Sequence, residues 1–326
     1  MKTLKISHIW FSSLEFEDSI FFHLLKQYAN KNIELVAPDK CDILFMGPYD
    51  LNTIKRRVYN YGVNKLKNKK INLEFFFPNL DWYSIKRNYK PVKVFLSQES
   101  IPINKISADF YITPRIGVSN KNHFRFPAWK EMINWDFEGI KRSNLQQAAQ
   151  RLGEYYNLDE LMRPQGENFL SKEKKFCIIT SHLEDPRKSF IEHLSRHFVI
   201  DGFGPYFNKK VVNFNQSGFL KKNILEKYAF NLCPENTIFP GYYTEKIPDA
   251  FISKSLPVTW ADKYVNLDFN PKAFVNLFDY MTNFDEICEM LKDLNFLKKF
   301  TKEPLIQKKI NLDAERKFIK KIISRI

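Results

Sequence analysis

Glycine is scarce in this chain, with 10 among 326 residues, and the phosphate loops that depend on it are missing. Neither GxGxxG nor GxxxxGKS/T occurs, so dinucleotide oxidoreductases and P-loop nucleotide hydrolases lose the backbone that would cradle their phosphates. No D-x-D is present, and histidine and cysteine show no metal-ligand spacing, which argues against a metal site or cofactor. The four cysteines, Cys41, Cys177, Cys233 and Cys288, form no CxxC pair and sit in or beside apolar runs. Buried free thiols in a reducing compartment are expected. No run of about 18 apolar residues occurs, and "HIWFSS" is too short for a signal peptide, so a cytoplasmic chain without a spanning helix is expected.

What is present is ample core material. Apolar residues make up 44% of the chain, and its length suggests about two domains at ~150 residues each. Strand-length apolar runs such as "LKISHIWF", "CDILFMG", "KVFLSQ" and "DFYIT" alternate with amphipathic helices such as "SIFFHLLKQYA". A second set follows: "KFCIITS", "RKSFIEHLSRH", "FVIDGFG", "GFLKKNILEKY", "AFNLC", "TEKIPDAFISKS" and "PVTW". This alternation predicts α/β architecture with parallel sheets. The stretch between, "NLQQAAQRLGEYYN" then "RPQGEN", is polar, placing a domain boundary near 165. Residues 71–90 resemble an aromatic insertion loop.

The net charge of +14 is unevenly spread. Residues 55–70 and residues 298–326 each carry +7, so the rest of the chain sums to zero. The pI of 9.4 and 31 phenylalanines raise the possibility of a nucleic-acid-binding protein. A neutral body with two basic patches, and no RRM, KH or zinc signature, argues against it.

The stretch "CPENTIFPGYYTEKIPDA", Cys233 to Ala250, follows a predicted strand and opens a predicted helix. Residues in such a connection lie at the ligand-binding edge of an open parallel sheet. Thr244 suits the N-cap, and Pro248 is tolerated in the first turn. Lys246 then stands near the positive end of the helix, disfavoured there by roughly 0.3–1 kcal/mol. A bound diphosphate would supply the missing counter-charge. The plainer alternative is a surface Glu245 and Lys246 at a helix start.

"FNLCPENTIFPGYYTEKIPDAF", followed by "DFNPKAFVNLFDY", resembles the signature of the alpha-1,3-fucosyltransferases, particularly their bacterial members (family-10 glycosyltransferases). The likeness is strongest over 225–285, extends to 93–129 and 176–205, and is absent from the insertion and tail. Tyr243 and Pro234 stand where Val and Phe are commoner. The resemblance implies a GT-B fold, α/β with two Rossmann-like domains facing across a cleft and a C-terminal helical tail. Its domains would be 1–165 for the acceptor, 166–297 for the GDP-sugar donor and 298–326 as a basic helical tail. It implies inverting, metal-independent transfer of L-fucose from GDP-fucose, with no cofactor, to a hydroxyl such as O3 of GlcNAc in a surface glycan such as lipopolysaccharide O-antigen. The alternative keeps the fold and uses another GDP-sugar, such as a different deoxyhexose or a heptose.

By the same likeness Lys246 contacts the donor phosphates, Glu245 the ribose hydroxyls, and Tyr242 and Asn236 line the nucleotide site. "SHLEDPRKSFIEHL" aligns Arg187 with the family's diphosphate-gripping arginine, followed by apolar Phe190 and Leu194. A surface arginine pairing with Glu184 or Asp185 is the alternative. "VFLSQESIP" aligns Glu99 with the family's general base, Gln98 replacing its glycine. "HFRFPAW" resembles a family segment on the acceptor side, drawing in Arg125 and Trp129, although Phe and Trp there suit a core equally.

In the tail "RKFIKKIISRI", Phe318, Ile319, Ile322, Ile323 and Ile326 share one helical face. Arg316, Lys317, Lys320, Lys321 and Arg325 share the other. Two readings are open: peripheral contact of 55–70 and 316–326 with an anionic membrane's inner face, or packing of the tail on its own protein. The tail is also expected to cross back to the first domain.

Overall fold

The computed structural model describes residues 3–9, 16–29, 32–48, 90–101, 103–142, 152, 154–204, 206, 207 and 221–326. The 55–70 patch, all but the last residue of the 71–90 insertion and most of the stretch 144–153 lie outside them. Two compact units result, one of Met1–Phe126 with Asn311–Ile326, the other of Pro127–Ile310.

The first unit holds a six-stranded, wholly parallel sheet in the order β2-β1-β3-β4-β5-β6. The strands are Leu4–Ile9, Ile33–Leu35, Ile43–Met46, Val92–Leu96, Phe110–Thr113 and His123–Arg125 in chain order. All of β3 and β5 is buried, as expected where both sheet faces are covered. Helix α1, Ile20–Tyr28, begins where the Ser19 hydroxyl accepts from the Phe22 N–H, and buries Ile20, Phe21, Phe22, Leu24 and Leu25.

The second unit holds a five-stranded parallel sheet, β11-β10-β9-β7-β8. Its strands are Phe176–Ile179 (β7), Ile200–Phe203 (β8), Phe230–Leu232 (β9), Leu256–Thr259 (β10) and Val275–Asn276 (β11). Its helices are α2 (Leu158–Leu161), α3 (Arg187–Leu194), α4 (Lys221–Leu225), α5 (Lys246–Ile252), α6 (Phe284–Met290) and α7 (Leu294–Lys298). The chain leaves β7 toward β8 on one side and β9 toward β10 on the other. The strand order therefore reverses between β7 and β9, the point where open α/β sheets bind ligands. Gly204 ends β8 at φ +95°, where a Cβ would meet the Thr180 carbonyl oxygen at 2.5 Å. Only glycine lets β8 close against the end of β7 there.

The boundary expected near 165 is displaced to 126/127. Residues 127–165 are tied into the second unit: Ile133 bridges Tyr156, the Tyr156 hydroxyl bonds Asp249, and the Gly166 N–H bonds the Thr301 carbonyl. The expected tail, 298–326, is not one element either, since it divides at Ile310 between the two units. Its last helix, α8 (Asp313–Ile323), returns to the first unit as expected. There Phe318 stacks on Phe124 at 5.0 Å and meets Phe110 edge-on at 5.8 Å, while Ile319 and Ile322 are also buried. Phe318, Ile319 and Ile322 of the tail's apolar face are thus used within the protein, while Ile323 is half-buried and Ile326 exposed. Among the described residues no helix is long and apolar enough to cross a membrane. All four cysteines are buried free thiols.

Candidate donor-binding site

Arg187 is the first residue of α3, one helical face with Phe190 and Leu194, both buried. That packing turns the guanidinium inward until the residue is only 7% exposed, so the surface-pair alternative does not hold. Its Nη1 donates to Thr180 Oγ1 at 2.9 Å and the His182 carbonyl at 3.3 Å. Its Nη2 donates to the Pro234 carbonyl at 3.3 Å and to Asn236 Oδ1. Among the described residues, its hydrogen-bond partners are neutral oxygens. Burial pulls its pKa down, with Glu235, Tyr242 and Glu245 acting against that, and a guanidinium stays charged under such conditions. The result is a buried cation tied across the ends of β7 and β9.

The Cys233–Lys246 connection supplies the second cation. Glu235, buried just past β9, accepts the Thr244 N–H at 2.8 Å and the Thr244 hydroxyl at 2.7 Å through Oε1. Its Oε2 lies 2.7 Å from Lys246 Nζ, with Glu245 Oε1 farther off at 3.9 Å. Lys246 also reaches Thr244 Oγ1 at 2.7 Å. Burial would lower the Lys246 pKa, but Glu235 and then Glu245 outweigh it and hold the ammonium charged.

This corrects two expectations. Thr244 does not cap α5, because its hydroxyl is committed to Glu235 and Lys246; the N-cap is Glu245, with no side-chain cap bond. Nor does Lys246 lack a counter-charge, since Glu235 provides one. Glu235 was missed although it stands beside Asn236; the signal was a lone carboxylate ending an otherwise uncharged strand.

Arg187 and Lys246 line one pocket, with Ile178, Ile179, Asn231, Cys233 and Pro234 at the carboxyl ends of β7 and β9. Asn236 reaches this group through Arg187. Tyr242 is buried, its N–H bonded to the Phe239 carbonyl, and it lies within electrostatic range of Arg187. Gly241, at φ +93°, makes the turn before it.

The acceptor-side residues belong elsewhere. Glu99 is in the first unit, in the turn after β4, its N–H bonded to Ser97 Oγ at 3.0 Å. Arg125 ends β6, its Nε donating to the Pro114 carbonyl at 3.1 Å. Trp129 is 2% exposed and packs on Phe269 in the second unit, so it serves as core there. Among the described residues no cluster of His, Cys, Asp and Glu has metal-holding geometry.

Two parallel-sheet units, the second with a cationic pocket at its switch point, define the GT-B class, and whole-chain structural likeness agrees. A crystal structure of an alpha1,3-fucosyltransferase superposes with TM-score 0.62 at 24% identity, covering 99% of this chain and 88% of that one. The same kind of enzyme with GDP-fucose superposes at 0.61 and 23%, covering 99% and 89%. Residues 169–303 match glycosyltransferase family 10 (fucosyltransferase), C-terminal part. An alpha-(1,3)-fucosyltransferase of Helicobacter pylori is 30% identical over 217 residues, 61% of this chain and 43% of that one. A 4-galactosyl-N-acetylglucosaminide 3-alpha-L-fucosyltransferase of Cricetulus griseus is 28% identical over 129 residues, 38% and 34% of the two chains. The likeness to glycosyltransferase family 10 thus rests on residues 169–303, and the chain spans less than half the length of these two relatives.

Proposed function

We propose that this protein is an inverting fucosyltransferase that moves L-fucose from GDP-fucose to a glycan hydroxyl without a metal ion. The observation that carries this reading is the convergence of Arg187 and Lys246 on one pocket at the β7/β9 switch point. When the bond from the sugar's anomeric carbon to the phosphate oxygen breaks, GDP leaves with increased negative charge. Two fixed cations stabilise that charge more in the transition state than in the bound donor, each being worth about 10²–10³ in rate.

In this reading Arg187 and Lys246 hold the diphosphate, Glu245 takes the ribose hydroxyls, and Asn236 and Tyr242 line the nucleotide site. Glu99 acts as general base, accepting the acceptor hydroxyl's proton as that oxygen attacks the anomeric carbon from the face opposite GDP. The relatives' names, an alpha-(1,3)-fucosyltransferase and an enzyme of 4-galactosyl-N-acetylglucosaminides, support O3 of GlcNAc as the acceptor position. A surface glycan such as lipopolysaccharide O-antigen, built on the cytoplasmic side, is the proposed context. Peripheral contact with an anionic membrane through 55–70 and 316–326 belongs to this reading, and with Phe318, Ile319 and Ile322 already buried the tail's share of it is chiefly electrostatic.

The test is GDP release from GDP-fucose with N-acetyllactosamine, comparing wild type, Glu99→Ala and Lys246→Ala. Acceptor-dependent release by wild type, lost in both variants, is expected. Variants as active as wild type would contradict the assigned roles, and release only from another GDP-sugar would move the assignment to that donor.

A further inference from the structure

A third cation lines the same pocket. Lys221 opens α4, is 13% exposed in its side chain, and places Nζ 2.6 Å from Asp249 Oδ2. Asp249 is wholly buried in α5, the one ionisable side chain in a run where Ile247, Pro248, Ala250, Phe251 and Ile252 are buried too. Its Oδ1 accepts the hydroxyl of Tyr156 at 2.6 Å, and that hydroxyl lies 3.3 Å from the Glu245 carbonyl oxygen. Tyr156 is itself wholly buried and bridged to Ile133, so the chain of contacts is anchored in core.

We propose that Lys221 is a phosphate-binding residue of this pocket, positioned by the buried Asp249–Tyr156 pair, and that it meets the donor's diphosphate beside Arg187 and Lys246. The proposal rests on the reading of the pocket as a nucleoside-diphosphate-sugar site. An ammonium has three donors, and Asp249 is its hydrogen-bond partner among the described residues, leaving donors for a pocket ligand. Burial opposes the charge on both partners, while their mutual attraction at 2.6 Å favours it. We read the pair as ionised. Buried ion pairs of this kind add little stability over packed apolar groups, so stability alone is a poor reason for a lysine and an aspartate here. The neighbouring Lys222 shows the contrast, pairing with Glu154 at the surface.

The experiment is calorimetric titration of GDP into wild type, Lys221→Met, Lys221→Met/Asp249→Asn and Arg187→Ala, with melting temperatures recorded for each. Lys221→Met should melt lower because it strands the Asp249 carboxylate. The double variant should regain the melting temperature yet bind GDP about tenfold or more weaker than wild type. A double variant that binds GDP like wild type, while Arg187→Ala loses binding, overturns the role of Lys221 and leaves the donor site standing. Wild type that binds no GDP overturns both. In a GDP complex of the wild type, Lys221 Nζ should lie within hydrogen-bond distance of a phosphate oxygen; an Nζ bonded to Asp249 alone contradicts the proposal whatever the variants do.

Discussion

Lys246 Nζ lies 2.7 Å from Glu235 Oε2, and the other oxygen of the same carboxylate holds both the N–H and the hydroxyl of Thr244. One buried side chain thereby closes the connection between β9 and α5 and fixes one of the cations that line the pocket.

Removing that carboxylate should therefore cost more than a surface charge would. Glu235→Ala strands a buried ammonium and an amide, and is expected to destabilise the protein by about 3–5 kcal/mol. Glu235→Gln keeps one acceptor and should lose less. Thermal melts of the two variants check the order; equal losses would mean that the retained acceptor contributes nothing, and Glu235→Gln melting like wild type would mean that the charge is unimportant.

If the pocket holds the donor as proposed, Arg187→Lys should weaken that hold although charge is conserved. The guanidinium spans Thr180, His182, Pro234 and Asn236 at once, and an ammonium cannot reproduce that fork. About a tenfold loss in kcat/KM for GDP-fucose is expected, about 1.4 kcal/mol. Steady-state kinetics with a fixed acceptor measures it.

Much of this was legible in the sequence, and the limits have physical causes. Buried parallel strands read as apolar runs, so β1, β3, β5, β7, β9 and β10 were placed to within a few residues. The edge strands His123–Arg125 and Val275–Asn276 were missed, being short and not apolar throughout. Arg187 and Lys246 stood out through the resemblance to the family's motifs, and both line one pocket. Glu235, Lys221, Asp249 and Tyr156 did not, because their partnerships join residues from 9 to 93 positions apart. Local pattern carries no information about such pairs.

The tail should behave as core. Phe318→Ala removes a ring packed between Phe110 and Phe124, a loss of about 3–5 kcal/mol. A clear drop in melting temperature, with binding to anionic liposomes unchanged, is expected. An unchanged melt with lost liposome binding would instead restore the membrane reading of that face.

Acid should weaken the first unit through His123. Burial first, then Arg115 and Arg125, lower its pKa from 6.5 to about 4, and its Nε2 lies 2.8 Å from Thr113 Oγ1. The folded state keeps the ring neutral, while the unfolded chain binds the proton near 6.5. The neutral ring's contribution is thus complete above pH 6.5 and falls away as pH drops from there toward 4. His123→Gln should flatten the dependence of melting temperature on pH over this window.

The central claim is that Arg187 and Lys246 hold the diphosphate of a GDP-sugar, and titration of GDP tests it most directly. Wild type should bind GDP at one site, and Arg187→Ala/Lys246→Ala should bind it at least about a hundredfold more weakly, about 2.8 kcal/mol. Equal binding by the two proteins, both folded, would contradict the account.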